Sequence, residues 1–220
     1  MREIALDTET TGISPRDGHR IIEIGALELM HHLPTGRKLH LYINPEREID
    51  DGAVAVHGIT SDFLADKPVF ADIVDEFLAF VGDDPMVIHN ASFDIGFLNA
   101  ELERLDRPVL PMAQSIDTLM MARKKFPGAQ ANLDSLCRRF EIDNSHRDLH
   151  GALVDADLLA AVYIELLGGR QPDLSFESVS QTQASDQGVK NTVDPDPSFH
   201  LDAKPMRPIR AHAPTAEELK

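Results

Sequence analysis

The sequence predicts an α/β domain built on a sheet of mixed direction, and three observations carry that expectation. Three strand-like runs lie close together near the start, two strand–helix units follow them, and all periodicity is lost after Gly168-Gly169. Residues 3–7 and 20–30 are rich in Ile, Leu and Ala and are separated by Gly12, Pro15 and Gly18, which reads as two strands joined by a turn. Residues 39–44, ended by Pro45, make a third. Connections this short favour an antiparallel meander.

Residues 70–81 then place Ile73, Val74, Phe77, Leu78 and Val81 at helical spacing, stopped by Gly82. A short apolar strand at 86–89 precedes a second helical stripe at 92–105. Residues 115–117 are a candidate fifth strand, followed by helices near 118–126, 133–140 and 151–167. The segment 171–220 is loaded with Ser, Gln, Asp and Pro and reads as a flexible tail behind a folded domain of residues 1–170.

Composition narrows the function classes. No run approaches the ~20 apolar residues of a membrane span, and the charged start Met1-Arg2-Glu3 does not suit a signal peptide, so a cytoplasmic protein without a membrane partner is expected. The single cysteine, Cys137, sits in a helical pattern and is expected in the core. The net charge is −16; the last 50 residues hold 8 acids and 5 bases, which leaves 29 acids against 16 bases in the first 170. Such a domain lacks the basic balance of a protein that grips duplex by itself. The acidity instead suggests carboxylates gathered around cations.

Asp7 and Glu9 stand two apart at a strand end, where a period of two sends both to one face. Carboxylates so placed repel unless a cation lies between them, and all-oxygen donors favour Mg²⁺ or Mn²⁺. A merely polar strand end is the plain competing reading. A calcium loop is a second one, but its twelfth position, which needs Glu, is Gly18. Asp94 falls in the first turn of the helix after the 86–89 strand, where it could simply favour the helix dipole or reach the carboxyl edge of the sheet. His150 and Asp155 would lie ~140° apart on a regular helix. They can share a site only if His150 stands in the loop before the helix that carries Asp155. Asp157 and His146 compete for the two roles, although Asp157 lies ~200° round the helix from Asp155 and should face solvent.

Asp7-Thr8-Glu9-Thr10-Thr11-Gly12, His89-Asn90-Ala91-Ser92-Phe93-Asp94 and His150-Gly151-Ala152-Leu153-Val154-Asp155 together resemble the three exonuclease motifs of the DEDD superfamily, in its histidine-bearing subclass. Residues 18–26, 56–59 and 141–145 resemble more narrowly the proofreading subunits of bacterial replicative DNA polymerases. The resemblance implies a ribonuclease-H-like fold with a five-stranded mixed sheet. It implies that Asp7, Glu9, Asp94 and Asp155 hold two divalent ions, Mg²⁺ or Mn²⁺, ~4 Å apart, and that His150 is the general base. Thr10, Gly12 and His57, with Asp7, Glu9 and Asp155, would hold the 3′-terminal nucleotide of a single-stranded or frayed DNA end. Gly52 stands where relatives carry an acidic substrate contact, and the expected set omits it.

The tail adds Gln171-Pro172-Asp173-Leu174-Ser175-Phe176, which resembles the peptides that dock into the sliding clamp, with Gln171, Leu174 and Phe176 as anchors; a plain linker is the competing reading. By the same likeness residues 199–220 would bind the polymerising alpha subunit, a small theta-like subunit could cover the acidic face, and the tail is expected to be shorter than is usual. An RNA exonuclease of the same superfamily shares all the catalytic motifs, and a scaffold linking clamp and polymerase is a further alternative.

Overall fold

In the computed structural model, residues 1–145 and 149–169 are described. Strand β1 (Arg2–Thr10) is the centre of the domain. β2 (Ile21–Met30) pairs with it antiparallel and β3 (Leu33–Tyr42) extends the meander, while β4 (Met86–Ile88) and β5 (Ser115–Asp117) continue the sheet in parallel on the other side. The resulting order is β3-β2-β1-β4-β5, five strands of mixed direction as expected. The third strand is longer than the sequence indicated, because β2 turns directly into β3 at His31 and His32. Both have positive φ, 52° and 67°, in a tight turn that normally advertises itself by Asn-Gly. Two helices were not anticipated, α1 (Asp51–His57) and α2 (Ser61–Leu64). Each is too short to show a full apolar period.

The remaining helices follow the expected spans: α3 (Phe70–Val81), α4 (Ala91–Arg104), α5 (Thr118–Lys125), α6 (Leu133–Arg139) and α7 (Ala152–Leu166). Local chemistry fixes the starts of α5 and α6. Asp117 and Asn132 accept hydrogen bonds from Met120 N (3.1 Å) and Ser135 N (2.8 Å), satisfying amides that α5 and α6 cannot bond internally. Parallel β1, β4 and β5 require crossovers, which α3 with its flanking turns, and α4, supply.

The alternation of β1 and β2 divides the core into two layers. Ile4, Leu6, Ile24 and Ala26 face α3 and α4, packing with Phe77, Phe97 and Leu98. Ala5, Leu27 and Leu29 face the other way, against Leu159, Val162 and Tyr163 of α7 and Leu136 and Cys137 of α6. Cys137 is fully buried, as expected. Helix α7 is buried along most of its circumference, which suits a helix clamped between the sheet and α5 and α6. Among the described residues no helix is long and apolar enough to cross a membrane. The clamp peptide at Gln171, Leu174 and Phe176, the rest of the tail, and His146 lie outside the described residues.

Candidate active site

The site forms where β1 and β4 end, the edge at which open α/β sheets expose ligands. Asp7 and Glu9 lie on one face of β1, opposite Gly25 and Glu23 of β2. The pairing slips between Glu9 and Thr10, and such a bulge bends the strand and re-aims the side chains that follow. Helix α7 starts on this same face. His150 stands in the loop before it and Asp155 in its first turn, as their spacing required, and His150 Nδ1 lies 3.4 Å from Asp155 Oδ2. One ligand atom each from Glu9, His150 and Asp155 fall within 4.8 Å of one another. Glu9 and Asp155 are buried and the His150 side chain is 44% exposed. Asp157 faces solvent and drops out as a rival.

Asp94 reaches from the first turn of α4 to the sheet. Its Oδ1 accepts from Thr8 N (3.1 Å) and Thr8 Oγ1 (2.7 Å), tying the helix to the residue between Asp7 and Glu9. Asn90, in the left-handed region at φ 67°, makes the sharp turn from β4 that brings this about. Burial pushes the Asp94 carboxyl up to about 7, against the two Thr8 bonds that favour its anion. A cation alongside would reverse that balance.

Beside these groups is a cleft of about 360 Å³, large enough for a nucleotide. Of the residues expected to hold the terminal nucleotide, Glu9, Thr10, Gly12 and His57 line it and Asp7 and Asp155 do not; Ile13, Val56 and Phe93 line it as well. Thr10 Oγ1 donates to Gly12 O at 2.6 Å, closing the turn that forms one wall. A side chain at position 12 would run into His19, with an added Cβ only 2.3 Å from the ring. Gly52 also lines the cleft, and an added Cβ there would meet nothing within 4 Å, so the wall is open where an acidic contact would project. His57 is buried and its Nδ1 accepts from Ile59 N at 3.0 Å, leaving the proton to Nε2. Nε2 is buried and, among the described residues, meets no hydrogen-bond partner of normal geometry. Burial lowers the His57 pKa, with the Thr10 backbone acting against it, so the ring is neutral at pH 7.

The exonuclease family model of the RNase T type matches residues 4–163. The DNA polymerase III subunit epsilon of Rickettsia conorii is 54% identical over 197 residues, covering 88% of this chain and 85% of that one. The chain belongs to the epsilon-subunit family. It is a 3′→5′ exonuclease. The epsilon subunit of Escherichia coli is 47% identical over 190 residues, 83% of this chain and 77% of its own. Among solved structures, exonuclease X in complex with a 5′-overhanging duplex DNA aligns at a TM-score of 0.60 and 28% identity, over 76% of this chain and 90% of that one. The nuclease domain of 3′hExo, a DEDDh-family member bound to rAMP, shares the fold at a TM-score of 0.64 and 20% identity, over 76% and 91%.

Sequence reasoning passed over three residues that shape the site: Thr8, Glu23 and Gly25. Glu23 did leave a signal, a lone carboxylate inside the run Ile21-Ile22-Glu23-Ile24-Gly25-Ala26. Its meaning depends on what packs against that strand.

Proposed function

We propose that this epsilon-family chain removes mismatched nucleotides from DNA 3′ ends during replication, by hydrolysis with two divalent ions held by Asp7, Glu9, Asp94 and Asp155. One observation carries the reading: ligand atoms of Glu9, on β1, and of His150 and Asp155, at the start of α7 and far away in the sequence, converge within 4.8 Å beside a nucleotide-sized cleft. The donor set fits hard cations, because carboxylate oxygens dominate it. When bound, such ions would make water a better nucleophile at neutral pH and stabilise the departing 3′ oxygen.

The protein's own groups account for the rest. The terminal nucleotide is received between Thr10, Gly12 and His57, with the His57 Nε2 proton offered to an oxygen of the substrate. His150 takes the proton of the attacking water, a task suited to an imidazole. Asp155, 3.4 Å from its Nδ1, stabilises the imidazolium that results. The water oxygen bonds to phosphorus, the P–O3′ bond breaks, and the shortened strand keeps the 3′ oxygen and takes up a proton. The product is a nucleoside 5′-monophosphate.

DNA rather than RNA as substrate, and the polymerase III alpha subunit as partner, rest on the likeness to epsilon subunits. The acidic charge of residues 1–170 supports delivery of the DNA end by that partner. The peptide at Gln171, Leu174 and Phe176 would dock the chain on the sliding clamp, and a theta-like subunit could cover part of the domain. The deciding assay uses a 3′-mismatched primer with Mg²⁺ or Mn²⁺, with and without polymerase, beside matched single-stranded DNA and RNA. Mismatch removal that stops with chelator supports the reading; equal hydrolysis of the RNA, or turnover in chelator, overturns it.

A further inference from the structure

Glu23 is a carboxylate 2% exposed in the middle of the sheet, on a strand whose residues are buried on both faces. A charge in such a place is costly unless its oxygens are fully engaged. Both are. Oε2 accepts from Ala152 N at 3.1 Å, an amide in the first turn of α7 that the helix cannot satisfy itself. Oε1 accepts from His40 Nε2 at 2.6 Å, and the His40 ring in turn lies 4.7 Å from that of Tyr42.

Register explains why this matters to the chemistry. Glu9, Glu23 and Tyr42 form one cross-strand row, and Asp7, Gly25 and His40 the next, so all six occupy the face on which α7 begins. At Gly25 an added Cβ would sit 2.2 Å from the backbone of Ala152 and Leu153, which shows α7 resting on bare strand directly opposite Asp7. Opposite Glu9, Glu23 holds the amide of the same turn. Asp155 follows Ala152 by three residues, on the same side of the helix, and His150 precedes it by two.

We propose that Glu23 is a positioning residue for the exonuclease reaction: its bond to Ala152 N fixes the height and rotation of the first turn of α7, so that Asp155 and His150 meet Glu9. The His40 contact keeps the carboxylate aimed along that path. This rests on the reading of Glu9, Asp155 and His150 as the reacting set.

The test measures kcat and KM on a single-stranded oligonucleotide, Mn²⁺ affinity by electron paramagnetic resonance, and thermal unfolding, all on the full chain. Asp155→Ala is the reference: if it keeps its turnover, the reading of the site fails, whatever Glu23 does. With Asp155→Ala inactive, Glu23→Ala should lower kcat and Mn²⁺ affinity by about 10–100-fold, as lost outer partners of metal ligands do, with KM nearly unchanged. Glu23→Gln should recover most of both, since its amide oxygen can still accept from Ala152 N. Glu23→Ala with normal kcat and Mn²⁺ affinity, lower only in melting temperature, would make the residue a structural anchor and overturn the proposal. So would a Glu23→Gln variant as impaired as Glu23→Ala. Should Glu23→Ala not fold, Glu23→Asp decides: it keeps the charge but is one methylene too short to reach both partners. A loss of kcat and Mn²⁺ affinity is expected there, and unchanged values overturn the proposal.

Discussion

The two ends of α7 are fastened to the same face of the sheet by the same kind of group, a buried glutamate that also binds a histidine of β3 or of the turn before it. At the N-terminal end Glu23 holds Ala152 N and His40. At the C-terminal end Glu3, fully buried, accepts from Tyr163 Oη at 2.8 Å and His32 Nδ1 at 2.7 Å. Lys125 Nζ adds a bond to Leu166 O at 3.0 Å, satisfying a carbonyl that the helix leaves open. The difference lies in what hangs on each anchor. The C-terminal one joins side chains that do not line the cleft. The N-terminal one acts on backbone, within one turn of Asp155, and its errors pass straight into the spacing of the reacting groups.

Substitutions at the N-terminal end should therefore strike activity first. Asp7→Ala is expected to abolish hydrolysis of a mismatched primer while leaving the melting temperature equal or higher, because it relieves repulsion among the carboxylates in the metal-free protein. Persistent turnover would break the comparison at its root. His150→Ala should lower kcat by ~10²–10⁴-fold and leave Mn²⁺ binding largely intact. Gly25→Ala tests the anchor without touching a charge. Its Cβ must displace the Ala152–Leu153 backbone, so kcat should fall by ~10²-fold, with about 1–3 kcal/mol of stability lost to overpacking. A variant that loses the stability and keeps kcat would show that the first turn of α7 tolerates displacement.

At the opposite end Tyr163→Phe should cost about 1.5–3 kcal/mol by denaturant unfolding, the usual worth of a hydrogen bond to a charged group, and should leave turnover unchanged. A loss of kcat there would erase the distinction between the two anchors. The smallest effect concerns alkaline pH. Burial raises the Tyr163 pKa, and the bond to Glu3 raises it further. A raised phenol pKa means that the fold keeps a proton which the unfolded chain releases near pH ~10, so this contribution to stability is present below that pH and is lost above it. Tyr163→Phe should flatten the alkaline fall in melting temperature; an unchanged alkaline limb would argue against the Glu3 bond.

Much of this molecule was legible from periodicity. The helix over residues 70–81 appears with the expected bounds, because an apolar stripe ended by Gly82 is a local signal; the candidate strand over 115–117 also appears, although Ile116 is its one strong β-former. The helix α1 was not legible: seven residues show less than two turns of pattern. The β2–β3 turn was missed because two histidines occupy positive-φ positions that Gly and Asn usually mark.

The site divides along the same line. Sequence alone placed Asp7 and Glu9 on one face, required that His150 stand in the loop before the helix if it shares a site with Asp155, and pointed Asp157 outward, since each step needs only the period of one element. It left open whether Asp94 served only its own helix; the two bonds to Thr8 show that it also ties α4 to β1, through a contact across 86 residues. Nor did it distinguish Glu23 from any other strand glutamate, or Gly25 from a strand-weakening glycine. Those roles exist only once α7 lies on the sheet, because register and close approach between distant segments belong to tertiary packing and leave no period in the chain.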